Sequence, residues 1–192
     1  MKFITLVSLL VLGMTSFAGA QTRPAEQNPP GPFDKGTWDI SLTGGTVFPV
    51  AAADARFYNF TLAGGKYLFD NTSLSFELMG SYVEQVNTQE SNAMLGGFGI
   101  LGRTHLFRFD KWTLFIDGGG MVTYADHEVP VFGTHFNFVG KAGFGATYEL
   151  REHLFLIGGT RYFHLSNGQI HGRDQNPNYN GVEGYVGLMW TF

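Results

Sequence analysis

From Trp38 onward, apolar side chains recur at every second position. Trp38, Ile40 and Leu42 alternate with Asp39, Ser41 and Thr43; Leu74, Phe76 and Leu78 with Ser73, Ser75 and Glu77; Trp112, Leu114 and Ile116 with Thr113 and Asp117. Phe136, Phe138, Ala142, Phe144 and Tyr148 alternate with His135, Asn137, Lys141 and Glu149. Leu154 and Leu156 begin a seventh run, and Val186, Leu188, Trp190 and Phe192 end an eighth. A period of two is that of an extended strand with one apolar face. The runs 58–68 and 94–106 alternate less cleanly but fit as strands two and four. The pattern therefore predicts eight strands, each long enough to cross a bilayer when tilted.

The connections sort into two kinds. "DNTS", "RFDK" and "REH" are tight and polar, whereas those around 50–56, 86–93, 126–134 and 168–180 are longer. Short turns on one side and long loops on the other mark an all-β fold of the outer-membrane type, an eight-stranded antiparallel transmembrane β-barrel with its short turns in the periplasm. A soluble eight-stranded barrel would hide its apolar stripe inside, and parity alone does not say which face points out.

Composition and the chain end decide between them. The 192 residues include 27 glycines and 16% aromatics but only 15% charged residues, which suits membrane-facing strands. The terminal "YVGLMWTF" carries Tyr185, Gly187, Trp190 and a last Phe192, which resembles the end signal of outer-membrane barrels read by the barrel-assembly machinery. The first twenty residues, with Lys2, an apolar "FITLVSLLVLG" and Ala18-Gly19-Ala20, read as a cleaved signal peptide. Residues 21–36 are Pro-rich and polar and read as a disordered periplasmic lead-in, leaving 37–192 for the barrel. The chain has no cysteine, so no disulfide framework is expected, and its net charge of −4 argues against nucleic acid as a partner.

The inward parity holds Asp39, Glu77, Arg103, Asp117, Lys141, Glu149 and Arg161. An eight-stranded barrel is filled by side chains, so these residues read as a charge network inside the lumen rather than an ion path.

One stretch carries candidate chemistry. "YFHLSNGQIHG" from residue 162 places His164 and Ser166 at the extracellular end of strand seven, read as 153–167, on the lipid-facing parity of Leu154 and Leu156. Residues i and i+2 lie about 6.6 Å apart and point the same way, so a histidine base can reach a serine nucleophile. The bland alternative is a polar pair resting among lipid headgroups. Asn167 follows directly and is a donor suited to an oxyanion. If Asn167 pairs with Asn180 across the loop, Glu183 falls opposite His164, where a carboxylate would orient the imidazole.

The stretch "HLSNG…NGVE" and the short strand after it resemble the PagL family of outer-membrane lipid A 3-O-deacylases, at motif level over roughly the last 30 residues. The resemblance implies Ser166 as nucleophile, His164 as general base, Glu183 as orienting acid, and an oxyanion site near Asn167 and Gly168. The family also uses an asparagine shortly before the acid; here Tyr179 stands at that place, flanked by Asn178 and Asn180, and either could serve. Parity raises a difficulty, because Glu183 is out of phase with Leu188, Trp190 and Phe192. It shares a face with His164 only if strand eight carries a one-residue bulge between Glu183 and Val186. A regular strand turns Glu183 inward or makes Asn180 the orienting group.

The expected activity is hydrolysis of the 3-O-linked acyl ester of lipid A, with outer-membrane lipids as surroundings and no metal or cofactor. His127, His171 and Asp174 lack convincing ligand spacing. Arg173 is the candidate contact for a lipid A phosphate; Arg56 and Lys66 are weaker ones, Lys66 lying toward the periplasm. A homodimer is compatible with the chain. The competing reading is a non-catalytic small barrel, an adhesin or envelope-stabilising protein.

Overall fold

The computed structural model describes residues 31–50, 55–86, 91–170, 172, 176 and 178–192. Eight strands form one closed antiparallel barrel: β1 (Trp38–Pro49), β2 (Ala55–Phe69), β3 (Thr72–Gln85), β4 (Ala93–Arg108), β5 (Trp112–Val129), β6 (Thr134–Arg151), β7 (Leu154–Ser166) and β8 (Tyr179–Thr191). Closure is made by β8 against β1, from Asp39 opposite Thr191 to Pro49 opposite Gly181, so the sheet has no free edge.

The period-two pattern becomes an inside and an outside. Trp38, Ile40, Leu42, Leu74, Phe76, Leu78, Leu188 and Trp190 stand exposed on the outer wall, while Asp39, Ser41, Ser75, Glu77 and Thr191 are buried. A greasy exterior around a polar interior is stable only in lipid, and strands of 12 to 18 residues exceed the roughly 9–11 needed to cross it.

The lumen is layered. Toward the extracellular end Phe57, Met79, Leu95, Phe163, Leu165 and Tyr179 fill it with apolar bulk. Phe115, Phe155, Ile157 and Met189 do the same toward the periplasm. Charged groups form a belt between these layers. Arg161 makes a two-pronged bond to Asp117 at 3.0 and 2.7 Å, Arg103 reaches Asp117 at 3.6 Å, and Lys141 meets Glu77 at 2.8 Å. The inward parity of the charged set is as expected, although Glu149 is only half-buried near the periplasmic rim. The apolar layers explain why strands two and four look irregular in sequence: Phe57 and Leu95 pack inside while their neighbours Tyr58 and Met94 face lipid.

Two expectations change. The β5–β6 connection is residues 130–133 rather than a long loop, because both strands run on to 18 residues, with a register shift between Tyr124 and Val129. The lead-in is not wholly disordered either. Residues 1–30, including the expected signal peptide, lie outside the described residues, but residues 31–36 turn back into the periplasmic mouth. Phe33 is 2% exposed there. Its ring packs 4.2 Å from His105 and 5.1 Å from Phe155, and the Arg108 guanidinium lies 5.2 Å over its face. A single aromatic in a polar segment gives no periodic signal, which is why pattern reading passes over it.

Candidate active site

His164 and Ser166 occupy the last turn of the pleat in β7, both half-buried, on the face of exposed Leu156 and Tyr162. They therefore look outward, at the extracellular rim of the wall. Phe138 of β6 lies directly opposite Ser166, and Gly140 opposite His164. Gly140 has no side chain to set against the imidazole, and Phe138 is the residue paired with Ser166.

The β7–β8 register differs from the one expected. His164 faces Asn180, and Arg161 faces Glu183, a shift of three residues. An odd shift exchanges the two faces of a strand. No irregularity interrupts the pairing from Tyr179 to Trp190, so the bulge expected between Glu183 and Val186 is absent. Glu183 accordingly points into the lumen, 3% exposed. It accepts from Asn59 Nδ2 at 2.7 Å and lies 3.6 Å from Arg161 Nη1. In this geometry it belongs to the charged belt and does not orient the imidazole.

Asn180 takes that place. Its Oδ1 is 2.8 Å from His164 Nδ1. A carboxamide oxygen only accepts, so with the amide in this orientation Nδ1 is the donor of the bond. The Tyr162 hydroxyl donates to the same Oδ1. The main-chain oxygen of Asn180 accepts from Val50 N at 3.1 Å, which ties the start of β8 to the end of β1. Among the described residues no hydrogen bond joins Ser166 to the His164 ring. Such bonds are often long before substrate binds and tighten in the complex.

The turn after Ser166 is built by its own side chains. Asn167 is 1% exposed; its Oδ1 accepts from Gln169 N at 2.8 Å, and its main-chain N donates to Asn176 Oδ1 at 2.9 Å. Gly168 has φ +65°, with Phe138 Cε2 3.4 Å from where a Cβ would stand. Asn178 is exposed and accepts from Asn176 Nδ2, whereas Tyr179 is buried in the lumen with its hydroxyl on Ala55 O. Of the four residues expected near the oxyanion, Asn180 is thus bonded to His164, Asn178 stands exposed, and Asn167 and Gly168 form the turn after Ser166.

The described residues among the remaining expected ones lie away from this pair. Arg173, His171 and Asp174 lie outside the described residues. His127 is 3.0 Å from Asp126. Arg56 is 3.8 Å from Glu84 on the outer surface, and Lys66 rests 4.9 Å over the Trp38 ring at the periplasmic end. Among the described residues no cluster of three or more His, Asp or Glu side chains is arranged to hold a metal.

Sequence reading did not single out Tyr162, and it named Asn180 as the orienting group only for a regular β8, the case found here. The signal was present: both share the even parity of Val182, Val186 and Leu188, all exposed on the outer wall.

A closed eight-stranded barrel with a lipid-facing apolar wall defines a small outer-membrane protein. Solved structures that share this fold include two small outer-membrane proteins. Neisserial surface protein A matches with a TM-score of 0.59 at 11% identity, over 81% of this chain and 96% of that one. The outer membrane protein OprG from Pseudomonas aeruginosa matches with a TM-score of 0.51 at 13% identity, over 85% and 99%. No curated protein sequence gives a significant match. The model of the lipid A 3-O-deacylase (PagL) family matches residues 55–189, strands β2 to β8, and the chain belongs to that family.

Proposed function

We propose that the protein is an outer-membrane esterase that removes the 3-O-linked acyl chain of lipid A, with Ser166 as nucleophile and His164 as general base. The observation that carries this reading is the outward pair at the extracellular rim, with a hydrogen bond fixing Nδ1 of the imidazole. Membership of the family supplies the substrate class. A site on the outer wall takes its ester from the surrounding leaflet, where acyl chains join their sugar, and a water-soluble ester would not need that placement.

In this reading His164 Nε2 takes the Ser166 proton as the oxygen attacks the ester carbonyl. Donors in the Asn167–Gly168 turn stabilise the oxyanion. His164 then gives that proton to the sugar oxygen as the ester C–O bond breaks; water, deprotonated by His164, attacks the acyl-serine, and the proton returns to Ser166 as the fatty acid leaves. Asn180 holds the ring, the role an aspartate fills in serine hydrolases and an asparagine in papain-like proteases. Export by a cleaved signal peptide, recognition of Phe192 by the barrel-assembly machinery and contact of Arg173 with a phosphate belong to the same proposal. The test is lipid A from an outer membrane containing the protein: loss of one 3-linked hydroxyacyl chain, absent with Ser166→Ala, supports the enzyme. Unchanged lipid A around folded protein supports a non-catalytic barrel.

A further inference from the structure

Tyr162 precedes His164 by two residues on the outer wall, and Asn180 stands across from His164 on the neighbouring strand. The Tyr162 hydroxyl lies 2.5 Å from Asn180 Oδ1, and His164 Nδ1 lies 2.8 Å from that same oxygen. One acceptor thus serves two donors. This matters because an orienting asparagine has a fault that a carboxylate lacks. Its two ends differ: one accepts and the other donates. Rotated by half a turn, the amide would donate to Nδ1 and drive the ring proton to Nε2. A ring protonated at Nε2 has its one basic nitrogen, Nδ1, taken up by the amide, and Nε2 cannot receive the serine proton.

A phenol hydroxyl beside the carboxamide selects between the two rotations. It is a better donor than acceptor, because its oxygen lone pair is delocalised into the ring. On a wall facing lipid, a phenol hydrogen deprived of the amide oxygen has few alternative acceptors.

We infer that Tyr162 is a positioning residue, which locks the Asn180 carboxamide with its oxygen toward the imidazole and so sets the His164 tautomer that can act as a base. The tautomer claim stands on the geometry alone, and its catalytic consequence rests on the hydrolase reading above.

The experiment uses the full chain, folded in detergent and labelled with 15N at histidine, with His164→Asn assigning the signal. In the native protein the His164 ring is expected to be protonated at Nδ1. In Tyr162→Phe it becomes a mixture of tautomers, the phenyl ring still filling its place on the wall. Asn180→Asp provides the decisive control, since both carboxylate oxygens accept. In that background Tyr162→Phe leaves the tautomer unchanged.

Turnover on lipid A follows in parallel. Tyr162→Phe lowers kcat about 3- to 10-fold, the effect of one hydrogen bond, with KM held. The effect vanishes in the Asn180→Asp background. A single Nδ1-protonated state in Tyr162→Phe overturns the inference, as does an equal loss of kcat in both backgrounds. A protein that shows the tautomer dependence but leaves lipid A intact upholds the role of Tyr162 and sinks the hydrolase reading instead.

Discussion

His164 Nδ1 and Asn180 Oδ1 meet at 2.8 Å across the β7–β8 ladder, on the face of the barrel that looks into the membrane. The contact follows from register rather than from sequence proximity, and it makes a neutral amide the partner of the proposed base. Asn180→Ala removes the hydrogen bond between Asn180 Oδ1 and Nδ1 and is expected to lower kcat by about 10- to 100-fold while the barrel stays folded, since supporting partners of a catalytic group carry effects of that order. Asn180→Asp restores an acceptor and should retain most of the activity. Turnover of purified lipid A in mixed micelles measures both, and full activity of Asn180→Ala would remove Asn180 from the mechanism.

Glu183 makes the opposite case. It is buried in the lumen with Asn59 and Arg161, on the far side of the wall from His164. Glu183→Gln keeps the shape and one acceptor oxygen, and Arg161 retains both bonds to Asp117. The expected result is a folded barrel with activity within about threefold of native and a stability change of about 1–3 kcal/mol, as for an altered buried polar contact. Urea unfolding and turnover on the same preparation report the two separately. Complete loss of turnover in a stable barrel would restore the carboxylate to the site and require a different β8 register.

Phe138 lies opposite Ser166, its ring within van der Waals reach of the Gly168 position. It stands where the acyl chain of a substrate attached at Ser166 would begin. Phe138→Ala is expected to raise KM about 10-fold with a smaller change in kcat, the usual scale for one apolar contact. Steady-state kinetics with substrates of two acyl lengths checks this, and an unchanged KM would move the acyl path elsewhere on the wall.

Phe33 closes the periplasmic mouth against His105 and Phe155, far from the proposed chemistry. Phe33→Ala should cost about 3–5 kcal/mol of stability, as for other buried aromatic deletions, without altering turnover at low temperature. Unfolding in detergent followed by tryptophan fluorescence gives the cost. A variant as stable as the native protein would mean that residues 31–36 do not seat in the mouth in solution.

Much of the fold was legible because a barrel in lipid has one rule, alternation, and each strand obeys it for most of its length. Trp38, Leu74, Leu114 and Trp190 declare the outer face at once. The rule blurs where the lumen is also apolar, as at Phe57 and Leu95, and is silent for Phe33, whose burial depends on a turn rather than a period. The site was legible in part. His164 and Ser166 follow from parity and position, but pairing across the β7–β8 loop does not, because loop length leaves register open. A three-residue slip moved Glu183 indoors and brought Asn180 to His164. Parity alone favoured Asn180, which is in phase with Leu188 and Trp190, whereas the family motif favoured Glu183.

The most direct measurement is mass spectrometry of lipid A from outer membranes holding equal amounts of folded native protein, Ser166→Ala and His164→Asn. The native protein is predicted to remove the mass of one 3-linked hydroxyacyl chain, and both variants to leave lipid A whole. Lipid A unchanged by the native protein, or deacylated equally by Ser166→Ala, contradicts a serine esterase on the outer wall.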